Sequence, residues 1–152
     1  MGIQMEADRD VLAFYRGWTD LVARALGKEV TSGVWSPGAP FGYADREALL
    51  RREEAKRRAG FRTGGGIHPA QVDAGNAGLT PPPEEVAQAQ RILGAFDQAW
   101  AQGEAFAIVD GRIIDRQVAH ALREFLAFAQ ACAQKDDLKR RMQSIMRQKE
   151  QG

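Results

Sequence analysis

The chain has 152 residues, room for one domain with a real hydrophobic core. Hydrophobic residues make up 44% and charged residues 27%, an ordinary balance for a globular protein. Lys and Arg number 21 against 20 Asp and Glu, so the whole-chain charge makes no electrostatic case for a nucleic-acid or membrane partner; a phosphate-bearing ligand would need a local cluster.

In chain order, the first residues carry Glu6, Asp8, Arg9 and Asp10 without an apolar run, so no signal peptide is expected, and no later stretch is apolar enough to span a membrane. Val11, Leu12, Phe14, Tyr15, Trp18, Leu21, Val22 and Ala25 recur at helical spacing, which predicts an amphipathic helix over Asp10 to Leu26, stopped by Gly27. Glu29 to Trp35 reads as a short strand, and Ser36 to Gly42 as a Gly- and Pro-rich loop. Asp45 is an N-cap for a helix from Arg46 to Ala59, which Gly60 ends.

Phe61 to Ile67 is a second short extended segment, with Gly64, Gly65 and Gly66 inside it. Thr80-Pro81-Pro82-Pro83-Glu84 reads as the start of a helix, with a capping hydroxyl and prolines suited to a first turn. Val86, Ala89, Ile92, Leu93, Phe96 and Trp100 form its apolar face. Ala105 to Ile114 is a hairpin signal, with Asp110-Gly111 suited to a type I′ turn. Asp115 leads into a helix carrying Val118, Leu122, Phe125 and Phe128, and the charged stretch from Lys135 reads as a further helix with a thin apolar stripe of Leu138, Met142, Ile145 and Met146. Cys132, the only cysteine, cannot form an internal disulfide; a buried structural role is expected for it, and a reducing cytoplasm for the chain.

Strands alternating with helices imply parallel βα units. Two such strands do not close a sheet, and a (β/α)8 barrel needs eight strands and about 250 residues. The expected fold is therefore α/β: the last βα units of a TIM barrel plus a helical and hairpin lid. The expected divisions are residues 1–79 (barrel units), 80–134 (lid) and 135–152 (charged tail).

Two motifs bear on chemistry. In Gly64-Gly65-Gly66-Ile67-His68-Pro69 a strand ends in a turn, and glycines let a backbone approach something closely. His68 stands at the C-terminal edge that faces the active site in parallel α/β folds; equally, the glycines form a flexible loop and His68 satisfies a local carbonyl. Asp115, just after the hairpin, is either a helix N-cap or a carboxylate displayed on a lid as proton donor or acceptor. These two roles compete, since a capping carboxylate spends its oxygens on backbone N–H groups. The basic run Arg51, Arg52, Lys56, Arg57 and Arg58, interleaved with Glu47, Glu53 and Glu54, reads as a solvated helix face. There is no Cys/His metal spacing, Walker loop or serine elbow.

The run Gly60-Phe61 to Ile67-His68-Pro69-Ala70-Gln71-Val72, then Leu79-Thr80-Pro81, then Glu84-Glu85-Val86 to Phe96, then Val109-Asp110-Gly111-Arg112-Ile113-Ile114-Asp115, closely resembles the C-terminal region of citrate lyase beta subunits and their malyl-CoA and citramalyl-CoA lyase relatives, the HpcH/HpaI aldolase superfamily. The resemblance runs from about Asp45 to Ala129 and more weakly back to Val11. It implies a (β/α)8 barrel, usually a trimer, that binds magnesium and cleaves or forms the C–C bond of a 3-hydroxyacyl-CoA such as malyl-, citramalyl- or citryl-CoA.

It also implies that Gly65 and Gly66, with His68, lie toward the CoA ester, and that Asp115 is the lid acid/base in a neighbouring subunit's site. The family's metal-binding Glu and Asp and its substrate-clamping Arg lie on earlier strands with no counterpart in this chain, so no metal ligand is expected here. The chain departs from the pattern at Gln117, where the family often has proline, and in the bareness of Gly64-Gly65-Gly66. The expectation is an incomplete lyase, inactive alone and working as a homo-oligomer or with a complementary N-terminal half. The alternative is a repurposed, non-catalytic oligomerisation module.

Overall fold

The computed structural model describes residues 13–31, 45–66 and 68–150. It is mostly helical with a small antiparallel hairpin, and it divides into two compact units, Met1–Thr80 and Pro81–Gly152.

In the first unit, α1 spans Ala13–Ala25 and α2 spans Arg46–Arg58. The Asp45 cap is as expected: the Ala48 N–H donates to Asp45 Oδ1 at 2.9 Å. Gly27 (φ 65°) and Gly60 (φ 96°) end the two helices in the left-handed conformation that glycine adopts without strain. At each end a 6→1 bond closes the Schellman pattern, from Lys28 N–H to Ala23 O at 2.8 Å and from Phe61 N–H to Lys56 O at 3.1 Å. Arg24 ties the helices together, donating to the Gly60 carbonyl while pairing with Asp20 at 2.7 Å.

Of the strand expected over Glu29 to Trp35, residues 32–35 lie outside the described residues, as does the whole of the following loop, Ser36 to Gly42. The described part and the Phe61 segment meet at a single parallel bridge, Thr31 to Thr63, where the Thr63 hydroxyl donates to Val30 O at 3.0 Å. The parallel sense is that of a βα unit, and among the described residues the ladder is one bridge long.

A helix absent from the sequence expectation, α3 (Ala70–Leu79), follows at once and packs along α2. Its buried residues are Ala74 and Gly78, a small-residue face that carries no apolar stripe to reveal it. Thr80 caps α3 rather than starting the next helix: its N–H and its hydroxyl both donate to Asn76 O, at 3.1 and 2.8 Å. Glu47, Arg51 and Arg58 are exposed as expected of a solvated face, but where α3 covers α2 the charged run turns inward. Glu53 and Lys56 are buried, and Glu53 Oε1 accepts from Lys56 Nζ at 2.9 Å and from Arg52 Nε at 3.0 Å.

The second unit consists of α4 (Pro83–Ala101), β1 (Ala107–Val109), β2 (Arg112–Ile114) and α5 (Arg116–Glu150). Pro82 precedes α4 in extended conformation, Pro83 fits its first turn without needing an N–H partner, and Glu84 and Glu85 place negative charge at the positive end of the helix. The hairpin pairs Ala107 with Ile114, Ile108 with Ile113 and Val109 with Arg112 around Asp110 (φ 52°) and Gly111 (φ 73°), a pair of positive φ values that fits the expected type I′ turn. Ala107, Val109 and Ile114 point inward onto Phe96 and Ala119, with Ile92, Leu93, Ala95 and Ala99 around them. Strand alternation turns Ile108 and Ile113 outward.

α5 runs unbroken through residues 134 and 135, where the sequence suggested a separate tail helix; no Gly or Pro interrupts it. Cys132 is half-buried rather than buried. Among the described residues, no helix is long and apolar enough to cross a membrane.

Candidate functional site

The candidate residues fall on both units: Gly65, Gly66 and His68 on the first, Asp115 on the second.

Gly64, Gly65 and Gly66 are bare for different reasons. None has a positive φ, so backbone conformation demands glycine at none of them. A Cβ on Gly64 would meet Glu53 Oε2 and Leu79 Cδ1, each at 3.1 Å, and one on Gly66 would meet Gln71 Oε1 at 3.2 Å and Gln71 Cβ at 3.3 Å. Neighbouring side chains therefore crowd those two positions. A Cβ on Gly65 would meet nothing within 4 Å, and Gly65 is exposed. Neither strain nor packing among the described residues accounts for its missing side chain.

His68 is exposed at the start of α3. Its Nδ1 accepts the Ala70 N–H at 3.1 Å and its carbonyl accepts the Gln71 N–H at 3.0 Å. One local partner of the ring is thus a backbone donor. In the neutral ring an accepting Nδ1 places the proton on Nε2.

Asp115 is exposed between β2 and α5 and is the cap of that helix. The N–H groups of Gln117 and Val118 donate to Oδ1 at 3.0 and 2.9 Å, and the Ala119 N–H donates to the Asp115 carbonyl at 2.9 Å. Both side-chain capping bonds fall on the same oxygen, which leaves Oδ2 outside the cap. The two roles weighed for this carboxylate therefore do not exclude each other: one oxygen fixes the side chain and the other is available to a proton.

The hairpin that carries Asp115 is anchored to α4 by Arg91, whose Nη2 meets Asp110 Oδ2 at 2.5 Å. The side-chain hydrogen bond and charge of Arg91, aided by Arg112, hold the Asp110 carboxyl below its usual range, and the same pair raises the Arg91 guanidinium. A second pair, Arg123 to Asp97 at 2.5 Å, joins α5 to α4, with the Arg123 guanidinium 6.0 Å from the centre of the Phe96 ring. Sequence patterning did not single out either pair, since each spans two elements.

Magnesium wants oxygen donors in near-octahedral array. Among the described residues, no three His, Cys, Asp or Glu side chains come together in a way that could hold a metal ion. The described residues do not fit the cation that the resemblance implies.

No protein-family model matches the chain. Comparison with curated proteins finds a (3S)-malyl-CoA thioesterase of Cereibacter sphaeroides that is 34% identical over 133 residues, 88% of this chain and 45% of that protein. An L-malyl-CoA/beta-methylmalyl-CoA lyase from the same species is 38% identical over 88 residues, 56% of this chain and 27% of the lyase. Among solved structures, the protein CitE from Mycobacterium tuberculosis, crystallised with magnesium, acetoacetate and coenzyme A, superposes with a TM-score of 0.63 at 25% identity over 80% of this chain and 42% of that one. A citrate lyase from Burkholderia xenovorans shares the fold with a TM-score of 0.58 at 23% identity over 75% of this chain. The chain thus spans about half the length of the curated thioesterase it matches.

Proposed function

Since the chain belongs to the HpcH/HpaI aldolase and citrate lyase superfamily, we propose that it supplies part of the site of an enzyme acting on a malyl-CoA-type ester, namely a strand end that lies along the CoA portion and a lid carboxylate. In this proposal the described βα segment is the end of a (β/α)8 barrel, and strands outside this chain bring the metal ligands and the substrate clamp. Gly65 and Gly66 let the thioester's carrier approach the backbone, His68 stands beside them, and Asp115 handles a proton.

The observation that carries the proposal is the division of labour on Asp115, with Oδ1 held by two backbone N–H groups and Oδ2 outside the cap. C–C cleavage leaves a carbanionic carbon beside the thioester that must be protonated, whereas hydrolysis requires a proton to leave water. One positioned carboxylate serves either step according to its protonation state. The relatives' names cover both reactions, so the choice between lyase and thioesterase rests on products.

The test incubates malyl-CoA with the chain alone and with a polypeptide that supplies the earlier barrel strands. Acetyl-CoA plus glyoxylate marks a lyase, and malate plus free CoA thiol a thioesterase. Turnover is expected only in the combination. Absence of both turnover and CoA binding in the combination removes the proposal.

One feature favours the second reading, a non-catalytic assembly module. The apolar residues of α1 are exposed, Phe14 at 73%, Leu21 at 60% and Trp18 at 59%. A face of this kind is a protein–protein contact more often than a free surface. Stable assembly without turnover or CoA binding is the result that selects it.

A further inference from the structure

The near-neutral charge of the whole chain is an average, and the end of α5 departs from it. From Leu138 to Lys149 the helix carries Lys139, Arg140, Arg141, Arg147 and Lys149 and no acidic residue. The acids just before it pair with two of these cations, Asp136 with Lys139 at 3.0 Å and Asp137 with Arg141 at 2.6 Å. Both pairs are exposed surface bridges, weak and screened by salt. Leu138, Met142, Ile145 and Met146 are 59%, 53%, 47% and 60% exposed. At 3.6 residues per turn they occupy an arc of about 100°, with Lys139 on one border and Arg141 on the other. The remaining face is Arg140, Gln143, Ser144, Arg147 and Gln148, and Lys149 closes the apolar arc at its C-terminal end.

We propose that Leu138–Lys149 is a membrane-surface segment that lies on bilayers rich in anionic phospholipid, with the Leu138–Met146 stripe in the interface and the cations on the headgroups. A thin apolar arc bordered by Lys and Arg, low in overall hydrophobicity, is the pattern of interfacial helices. The long stems of Lys139 and Arg141 can extend along the apolar boundary while their charges stay among the phosphates. The unbroken helix from Arg116 joins the segment to a packed unit, so it need not fold on the membrane.

Charge argues against a second copy on this face, since either helix orientation sets two cationic segments side by side. Length argues against a coiled-coil partner. The seam Leu138, Met142, Ile145 continues at heptad spacing into Lys135 and Lys149, so it falls short of the three to four heptads such a pairing needs.

The test floats the full chain with vesicles of phosphatidylglycerol and phosphatidylcholine in equal parts, and with phosphatidylcholine alone. Binding is expected only to the anionic vesicles, weakening as salt rises. Arg140→Gln with Arg141→Gln lowers the partition coefficient roughly 10- to 30-fold, as each cation near an anionic surface is worth about 5-fold. Leu138→Gln with Ile145→Gln lowers it by roughly 10-fold or more through lost apolar burial. All four positions are exposed on the helix and Gln is a good helix former, so circular dichroism should show unchanged helix content. No partition at millimolar anionic lipid overturns the proposal, as does binding that the Leu138/Ile145 variant retains or that is equal on phosphatidylcholine. Self-association abolished by the same variant, without vesicle binding, overturns it in favour of a second copy.

Discussion

Gly78 of α3 lies against Glu53 of α2 so closely that a Cβ on residue 78 would stand 2.6 Å from the Glu53 Cβ. The Leu50 carbonyl at 2.9 Å and the Glu54 N–H at 3.1 Å close the remaining space with backbone, which cannot swing aside. This contact lets α3 cover α2 and bury Glu53 and Lys56, with Arg52 partly buried beside them.

Gly78→Ala sets two effects against each other. Alanine favours the helix by about 1 kcal/mol over glycine, and overpacking typically costs about 1–3 kcal/mol. With backbone as the obstacle, overpacking wins, and the variant should lose about 1–2 kcal/mol in denaturant unfolding. Gly75→Ala in the same helix meets nothing within 4 Å and should gain up to about 1 kcal/mol. Equal effects of the two substitutions would show that the α2–α3 contact does not limit stability.

How legible these features were depends on the size of the side chains that make them. Asp45, Gly27 and Gly60 announce helix ends because capping acts through one or two residues adjacent in sequence. Asp110-Gly111 announces the hairpin for the same reason. The helix α3 escaped because Gly75, Asn76 and Gly78 depress helix propensity and its packing face, Ala74 and Gly78, has no apolar period. Missing that helix also hid the burial of Glu53 and Lys56, since burial is a property of the neighbour. At Lys135 the charge pattern changes but the structure does not, because nothing there stops a helix. Asp115 was legible both as a cap and as a carboxylate in a family motif. That both capping bonds fall on one oxygen is geometry, which no residue pattern encodes.

Gly65 separates a structural glycine from a ligand-facing one. With open space at its Cβ position and no positive φ, Gly65→Ala should leave thermal stability unchanged or raise it by about 0.4–1 kcal/mol through the unfolded chain. If CoA runs along this backbone, the same methyl group should weaken CoA binding, measured by calorimetry on the assembled protein. Unchanged CoA affinity in a normally folded variant would take Gly65 out of the proposed site.

The Arg91–Asp110 pair makes hairpin stability depend on pH in a definite direction. Asp110 has its carboxyl lowered in the folded state, so the stability it contributes is fully present above the unfolded-state carboxylate range and is lost as pH falls through the folded value. Arg91, raised from an already high value, stays charged throughout. Asp110→Asn removes the titrating group and keeps a residue that suits the left-handed turn. The variant should show a flatter loss of thermal midpoint on acidification through the carboxylate range than the parent chain. The difference should shrink at high salt, since both partners are exposed. Identical acid profiles would mean that the pair contributes nothing measurable.

Asp115→Asn tests the catalytic assignment, because the two roles of this side chain rest on different properties. Capping needs an oxygen acceptor, and Asn caps about as well as Asp, so the bonds from Gln117 and Val118 should survive and the thermal midpoint should hardly move. Proton transfer needs a group that titrates, which Asn is not. In the assembled enzyme, turnover of the CoA ester should therefore fall by roughly 10²- to 10⁴-fold, the usual scale for losing a general acid or base. If the lid serves a neighbouring subunit, mixing Asp115→Asn chains with chains whose own barrel is crippled should restore part of the activity, since each supplies what the other lacks. Full activity in Asp115→Asn would leave Asp115 as a cap and nothing more. Should the variant lose its fold, Asp115→Ser, which also caps and also lacks the carboxylate, repeats the comparison: a folded, inactive Ser variant upholds the assignment, and a folded, active one refutes it.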